Sequence, residues 1–163
     1  MFKNASFIKA NLPYIKDENA VAPLMRKTFD LAELTKKAVI SFVALGYGVI
    51  YINGHKVTED KFLSPVSDYT KTLWYTQYDV TNLLQKGKNV IAAILGNGWY
   101  NEFVENTWLF HDAPWRDNPK LLLQLDIDGK EAVVSDESWL YTDKSPVVFN
   151  QLRIGEYFDA RLY

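Results

Sequence analysis

No stretch of this 163-residue chain carries a three- to four-residue apolar period long enough to build an ordinary helix. Short runs of β-branched and aromatic residues recur instead, and turn residues close nearly every one of them. Asn53-Gly54 and Asp128-Gly129 are the strongest of these signals, because both residues of each pair tolerate positive φ and so fit a two-residue hairpin turn. The first joins Val49–Ile52 to the short segment after Lys56, and the second joins Leu121–Ile127 to Glu131–Val134. Between them, Asn89–Leu95 is almost wholly apolar and reads as a buried central strand that emerges at Gly96-Asn97-Gly98. Strands are expected at 39–45, 49–53, 73–78, 89–95, 121–127 and 131–134, with others at 25–31, 139–142 and 147–152. The predicted core is Val39, Phe42, Ile50, Ile52, Val90, Ile91, Ile94, Leu121, Leu123 and Leu125, joined by Trp74 and Trp139. Single helical turns are expected in 30–37 and in 79–87, the second opened by Asp79 and closed by Gly87. Strands separated by turns, without long helices, define an all-β sandwich or jelly roll. Residues 1–24, with Pro13 and Pro23, read as an extended N-terminal segment, and 25–163 as one sandwich domain.

Composition narrows the function. Eighteen basic and 20 acidic residues leave a net charge of -2, too little positive field to hold a phosphate backbone, so no nucleic-acid partner is expected. No run approaches the ~18 apolar residues of a membrane span, and the N-terminus lacks the apolar block of a signal peptide. A cytoplasmic location is expected if Met1 is the native start. Cysteine is absent, which excludes disulfides, thiolate nucleophiles and cysteine zinc sites.

Enzyme signatures are missing as well. There is no G-x-x-x-x-G-K-S/T loop and no G-x-S-x-G elbow, and Gly46-Tyr47-Gly48 lies between two strands, where glycines make a bend. Glu156 and Asp159 invite comparison with a glycosidase pair, but Arg161 beside them favours a structural ion pair that fixes the chain exit. Asn97, Trp99 and Tyr100 follow the central strand directly, and Trp108 and Trp115 lie in the long loop beyond. An amide with aromatic rings is what sugar binding uses, since the C–H face of a pyranose stacks on a ring while amides take hydroxyls. Such a loop is costly to order unless it packs on something, either a sugar or a neighbouring domain. Against this stands a core role for Trp99. His55 reads as solvated, and His111 with Asp112 suits a hydroxyl better than a metal. Glu59, Asp60 and Asp79 offer oxygens to calcium without the spacing of a known loop.

Several phrases taken together carry a family resemblance. FVALGYGVIYINGHKV, YTQYDVTNLLQKGKNVIAAILGNGWY, SDESW and the closing GEYFDAR resemble the N-terminal domain of bacterial α-L-rhamnosidases, in order and spacing, over roughly residues 25–161. The resemblance implies a jelly-roll, galactose-binding-like β-sandwich that precedes a catalytic (α/α)6 barrel. It places the catalytic acid and base on the barrel and implies no catalytic residue in this chain. Carbohydrate binding or substrate shaping then becomes the expected role, with L-rhamnose or rhamnosides and the catalytic domain of the same polypeptide as partners. A purely structural domain packed on the barrel is the alternative. Some relatives bind L-rhamnose on a related sandwich with calcium, so calcium is possible here, with no ligand assigned. The resemblance covers Asn97, Trp99, Tyr100, Glu156, Asp159 and Arg161 by position only.

Overall fold

A computed structural model describes residues 1–60, 63 and 65–162. Eleven strands are found there: β1 (Leu24–Leu31), β2 (Ala38–Leu45), β3 (Tyr47–Ile52), β4 (His55–Lys56), β5 (Thr76–Asp79), β6 (Gly87–Gly96), β7 (Lys120–Ile127), β8 (Lys130–Val134), β9 (Leu140–Thr142), β10 (Val147–Gln151) and β11 (Gly155–Phe158). One sheet has the order β4-β3-β6-β1-β9 and the other β5-β2-β7-β8, while β10 and β11 form a separate hairpin. Every pairing is antiparallel. The chain is the expected all-β sandwich of jelly-roll class.

Both hairpin signals act as read. Asn53 and Gly54 have φ of 51° and 83°, and Asp128 and Gly129 have 50° and 80°. These are the paired left-handed conformations that match the twist of the flanking strands. With register fixed, period-2 alternation sorts the side chains. Ile40 and Phe42 of β2 and Leu121, Leu123 and Leu125 of β7 meet Ile50, Ile52, Ile91 and Leu95 of the facing sheet. Full burial of each such side chain contributes roughly 1.5–3 kcal/mol.

The same alternation corrects part of the predicted core. Val39, Val90 and Ile94 are only half-buried, because each points to the outer face of its sheet. The predicted strand 73–78 begins later, at Thr76, and Trp74 lies outside it with 58% of its surface exposed. An aromatic run of strand-like composition is here surface. Trp139 is buried, and its Nε1–H donates to the Val134 carbonyl at 2.8 Å, but it precedes β9. No helical turn forms in 30–37, where β1 runs on to Leu31. The 79–87 turn shrinks to a 3₁₀ turn at Thr81–Leu83, with Asp79 accepting from the Thr81 amide and hydroxyl. Gly87, at φ 83°, opens β6 rather than closing a helix. In the polar connection read at 58–72, residues 61, 62 and 64 lie outside the described residues, as does Tyr163 of the 25–163 domain.

The N-terminal segment runs along the sandwich. Ile8 bridges Leu121, and the Ser6 amide donates to the Ser135 carbonyl at 2.8 Å, beyond the end of the β8 pairing. One corner sets up everything that follows. β2 and β3 belong to different sheets, and Gly46 between them takes φ 100°. A Cβ there would stand 2.1 Å from the Gly96 carbonyl oxygen, and one on Gly98 would stand 2.9 Å from the Gly46 carbonyl carbon. Only glycine lets the crossover press against the end of β6.

Candidate functional site

The segment leaving β6 begins with a polar anchor. Asn97 is buried, and its amide nitrogen donates to the Ala20 and Asn150 carbonyls, both at 2.9 Å, and to Asn150 Oδ1 at 3.0 Å. Its own backbone amide reaches Asn150 Oδ1 at 2.6 Å, and its side-chain oxygen accepts from Asn101 at 2.8 Å. One side chain thus ties the end of β6 to the N-terminal segment and to the β10–β11 hairpin. Asn97 has no donor left for a hydroxyl. Its amide chemistry was legible, but its partners stand 53 and 77 residues away.

The aromatic residues then divide. Tyr100 is buried with Val43 and Leu45 on the outer face of the four-stranded sheet, where Tyr69, Trp115 and Leu122 pack against it. The loop therefore packs on its own sandwich, a third answer beside the sugar or neighbouring domain expected of it. Tyr69 meets Tyr100 and Trp115 edge-on at 5.4 and 5.5 Å between centroids. Burial pushes the Tyr69 phenol up to about 12 and raises that of Tyr100. Trp99 is half-buried and takes Trp108 and Phe110 edge-on at 5.5 and 5.2 Å.

Trp108 is the ring that stays out, with 58% of its surface exposed. It is nevertheless held: its backbone amide donates to Asn106 Oδ1 at 3.0 Å, and the Arg153 guanidinium lies over its ring, 4.6 Å from the centroid. Such a cation–π contact contributes roughly 0.5–1 kcal/mol at an exposed site. Trp99, Trp108, Arg153, Leu152 and Tyr47 line a bowl of about 440 Å³. Among the described residues the guanidinium donates no hydrogen bond. The bowl thus offers aromatic faces to C–H groups and unspent donors to hydroxyls.

Sequence reasoning missed the parts that hold this bowl. Glu102 is fully buried and accepts from Gln151 Nε2 at 2.7 Å and from the Val104 amide at 3.1 Å. Gln151 in turn accepts from the Arg153 and Ile154 amides, each at 2.6 Å. A carboxylate in the 97–119 segment therefore shapes the hairpin tip that carries Arg153. Burial, and secondarily the Glu102 charge, raise the Tyr47 phenol. Nothing local in the sequence marks Glu102 or Gln151 as partners. Gly46-Tyr47-Gly48 was visible as a bend, without showing that its tyrosine would wall a cavity.

The closing motif splits. Asp159 takes Arg161 in two bonds, from Nε at 2.8 Å and from Nη2 at 2.6 Å, and this pairing holds its carboxyl below the usual range. That is the ion pair read from the sequence, and Glu156 is outside it. Glu156 is exposed on β11 and lines two further cavities beside Tyr47. His55 is exposed, and His111 Nδ1 accepts weakly from the Asn106 amide at 3.4 Å. Among the described residues no three His, Cys, Asp or Glu side chains gather as a metal-binding group. None of their helices is long and apolar enough to cross a membrane.

Comparison with known proteins places this arrangement. A family model described as the α-L-rhamnosidase N-terminal domain matches residues 33–163. An α-L-rhamnosidase of Formosa agariphila is 33% identical over 156 residues, covering 90% of this chain and 16% of that protein. A solved α-L-rhamnosidase from Aspergillus terreus superposes with a TM-score of 0.87 at 27% identity, covering 99% of this chain and 19% of that one. The Streptomyces avermitilis α-L-rhamnosidase, solved in complex with L-rhamnose, gives a TM-score of 0.78 at 31% identity, covering 88% of this chain and 14% of that one. The chain spans less than a fifth of the length of these relatives.

Proposed function

The chain belongs to the family of α-L-rhamnosidase N-terminal domains, and from that premise we propose that it is the non-catalytic accessory domain of a rhamnosidase polypeptide, holding or shaping carbohydrate at the bowl of Trp99, Trp108 and Arg153. The observation that carries this reading is Trp108 itself. A large indole is kept in contact with water while three neighbours fix its position. Rings presented in this way stack on pyranose faces, and the Arg153 donors suit the hydroxyls at the ring edge. Rhamnosides are the sugars to expect because the relatives are rhamnosidases. On this reading hydrolysis belongs elsewhere in the polypeptide, and Asp159 is spent on Arg161.

The test is titration of the chain with L-rhamnose, with and without calcium, followed by tryptophan fluorescence. Saturable binding that Trp108→Ala weakens supports the reading, and absence of saturable binding contradicts it. An aryl α-L-rhamnoside should not be turned over above background. Turnover that disappears in Glu156→Gln would overturn the non-catalytic assignment.

A second reading has its own observation. Leu24, Tyr51, Ala92, Ile94 and Leu140 line a shallow apolar depression of about 740 Å³ on the outer face of the five-stranded sheet, and Leu140 is 60% exposed. Arg26, Tyr141 and Thr142 also line it, and its broad apolar floor suits packing against the catalytic barrel. The two roles use different surfaces and are compatible.

A further inference from the structure

We infer that the sugar site extends past Tyr47 into a second subsite built on Glu156, so that the domain takes a rhamnose-containing disaccharide better than the monosaccharide. The inference rests on the reading of the Trp108 bowl as a carbohydrate site and adds the size of its ligand.

Three cavities meet at one side chain. The bowl of about 440 Å³ shares Tyr47 and Leu152 with a neighbouring cavity of about 210 Å³. That cavity shares Tyr47, Gly48, Val49 and Glu156 with a third of about 310 Å³. Together they make a trough along the edge of β3 below the β10–β11 hairpin, with Trp108 at one end and Glu156 further along. A single site for a small ligand occupies a few hundred Å³, so the bowl alone accommodates one sugar ring and the continuation accommodates another.

The chemistry changes along the trough. The Trp108 end is aromatic, whereas the far cavity brings Glu156 together with Lys56, Thr58 and Asp60. Asp60 is occupied, accepting from the Tyr78 hydroxyl at 2.8 Å, and this bond is the main reason its carboxyl lies below the usual range. The Glu156 carboxylate makes no hydrogen bond or ion pair among the described residues, its backbone being paired in the β10–β11 ladder. Its place is set by the backbone, opposite Asn150 in the β10–β11 ladder, and Asn150 is itself fixed by Asn97. An ionised carboxylate has two acceptor oxygens and no donor, which suits a pair of adjacent hydroxyls on a neutral sugar. A platform of rings followed by a positioned acceptor is what a two-ring glycan needs, one ring stacked and the next held by its hydroxyls.

The experiment compares L-rhamnose with α-L-rhamnosyl-(1→6)-D-glucose by isothermal titration calorimetry, on the unmodified chain and on Glu156→Gln. The disaccharide should bind the unmodified chain about tenfold more tightly than L-rhamnose. Glu156→Gln should erase that gain while leaving the monosaccharide affinity and the melting temperature in place, because the residue is exposed on a hairpin strand. Equal affinities for the two sugars in the unmodified chain would overturn the second subsite alone. A gain that survives Glu156→Gln would also overturn it. Absence of binding to either sugar would instead remove the Trp108 reading on which the inference stands.

Discussion

Tyr100 and Trp108 leave the same strand end on the same loop, eight residues apart, and finish in opposite environments. Tyr100 is 4% exposed and Trp108 58%. Neither ring chemistry nor local sequence separates them. The difference lies in what waits for each ring. Val43, Leu45 and Leu122 present an apolar outer face on the four-stranded sheet, and Tyr100, Trp115 and Tyr69 close over it. Trp108 meets the edge of Trp99 and the cation of Arg153, which hold it without covering it. A loop anchored by core packing at Tyr100 and at Trp115 can thus present a rigid ring between them, which is how a binding surface avoids a large ordering cost when its ligand arrives.

The comparison can be broken by removing each of the two rings in turn. The largest effect is expected from Tyr100→Ala, which should cost about 3–5 kcal/mol of stability, the range for removing a large buried ring. Urea unfolding measures it, and a loss as small as that of Trp108→Ala would mean that the two rings are equivalent. Asn97→Ala should follow at about 2–3 kcal/mol, since it strands buried groups of Ala20, Asn101 and Asn150. Near-native stability there would show that the anchor is dispensable. Trp108→Ala should change stability by less than about 1 kcal/mol, by unfolding, and weaken sugar binding about fivefold.

The smallest effects are pH effects. Tyr69 is raised to about 12 in the fold against an ordinary 10.0. The unfolded chain therefore loses this proton first, and stability falls as pH rises through 10 toward 12. Tyr69→Phe should flatten part of that alkaline limb. It should cost little at neutral pH, because the buried hydroxyl has no hydrogen-bond partner among the described residues. Melting temperatures at pH 7 and 11 measure both. On the acid side, Asp159 is depressed by Arg161. Its contribution is present above the unfolded value of 3.8 and lost as pH falls through the lower folded value. Arg161→Ala should shift acid unfolding only slightly, since the pair sits in water.

Much of the sandwich was legible because its instructions are local. Asn53-Gly54 and Asp128-Gly129 specify hairpins through their own backbone preferences, and Asn89–Leu95 declares a central strand by composition. Trp74 misled because strand composition describes a pleated surface without saying whether anything covers it. The site was harder to see because its determinants are long-range. Asn97, Trp99, Tyr100, Trp108 and Trp115 were all visible, but whether each faces water depends also on residues far along the chain, such as Val43 beneath Tyr100 and Arg153 over Trp108. Arg153, which sits on Trp108, and Gln151, which answers Glu102, lie in a hairpin that carried no binding signal of its own. GEYFDAR was read as one unit, yet strand alternation and the turn after Phe158 send Glu156 to the trough and Asp159 to Arg161.

The most direct test of the central claim is a two-dimensional NMR titration of the ¹⁵N-labelled chain with L-rhamnose, reading the five tryptophan indole signals. The Trp108 and Trp99 signals should move together and saturate, while those of Trp115 and Trp139 stay in place. Movement of Trp115 or Trp139 without Trp108, or no movement of Trp108 at saturating sugar, would contradict the account.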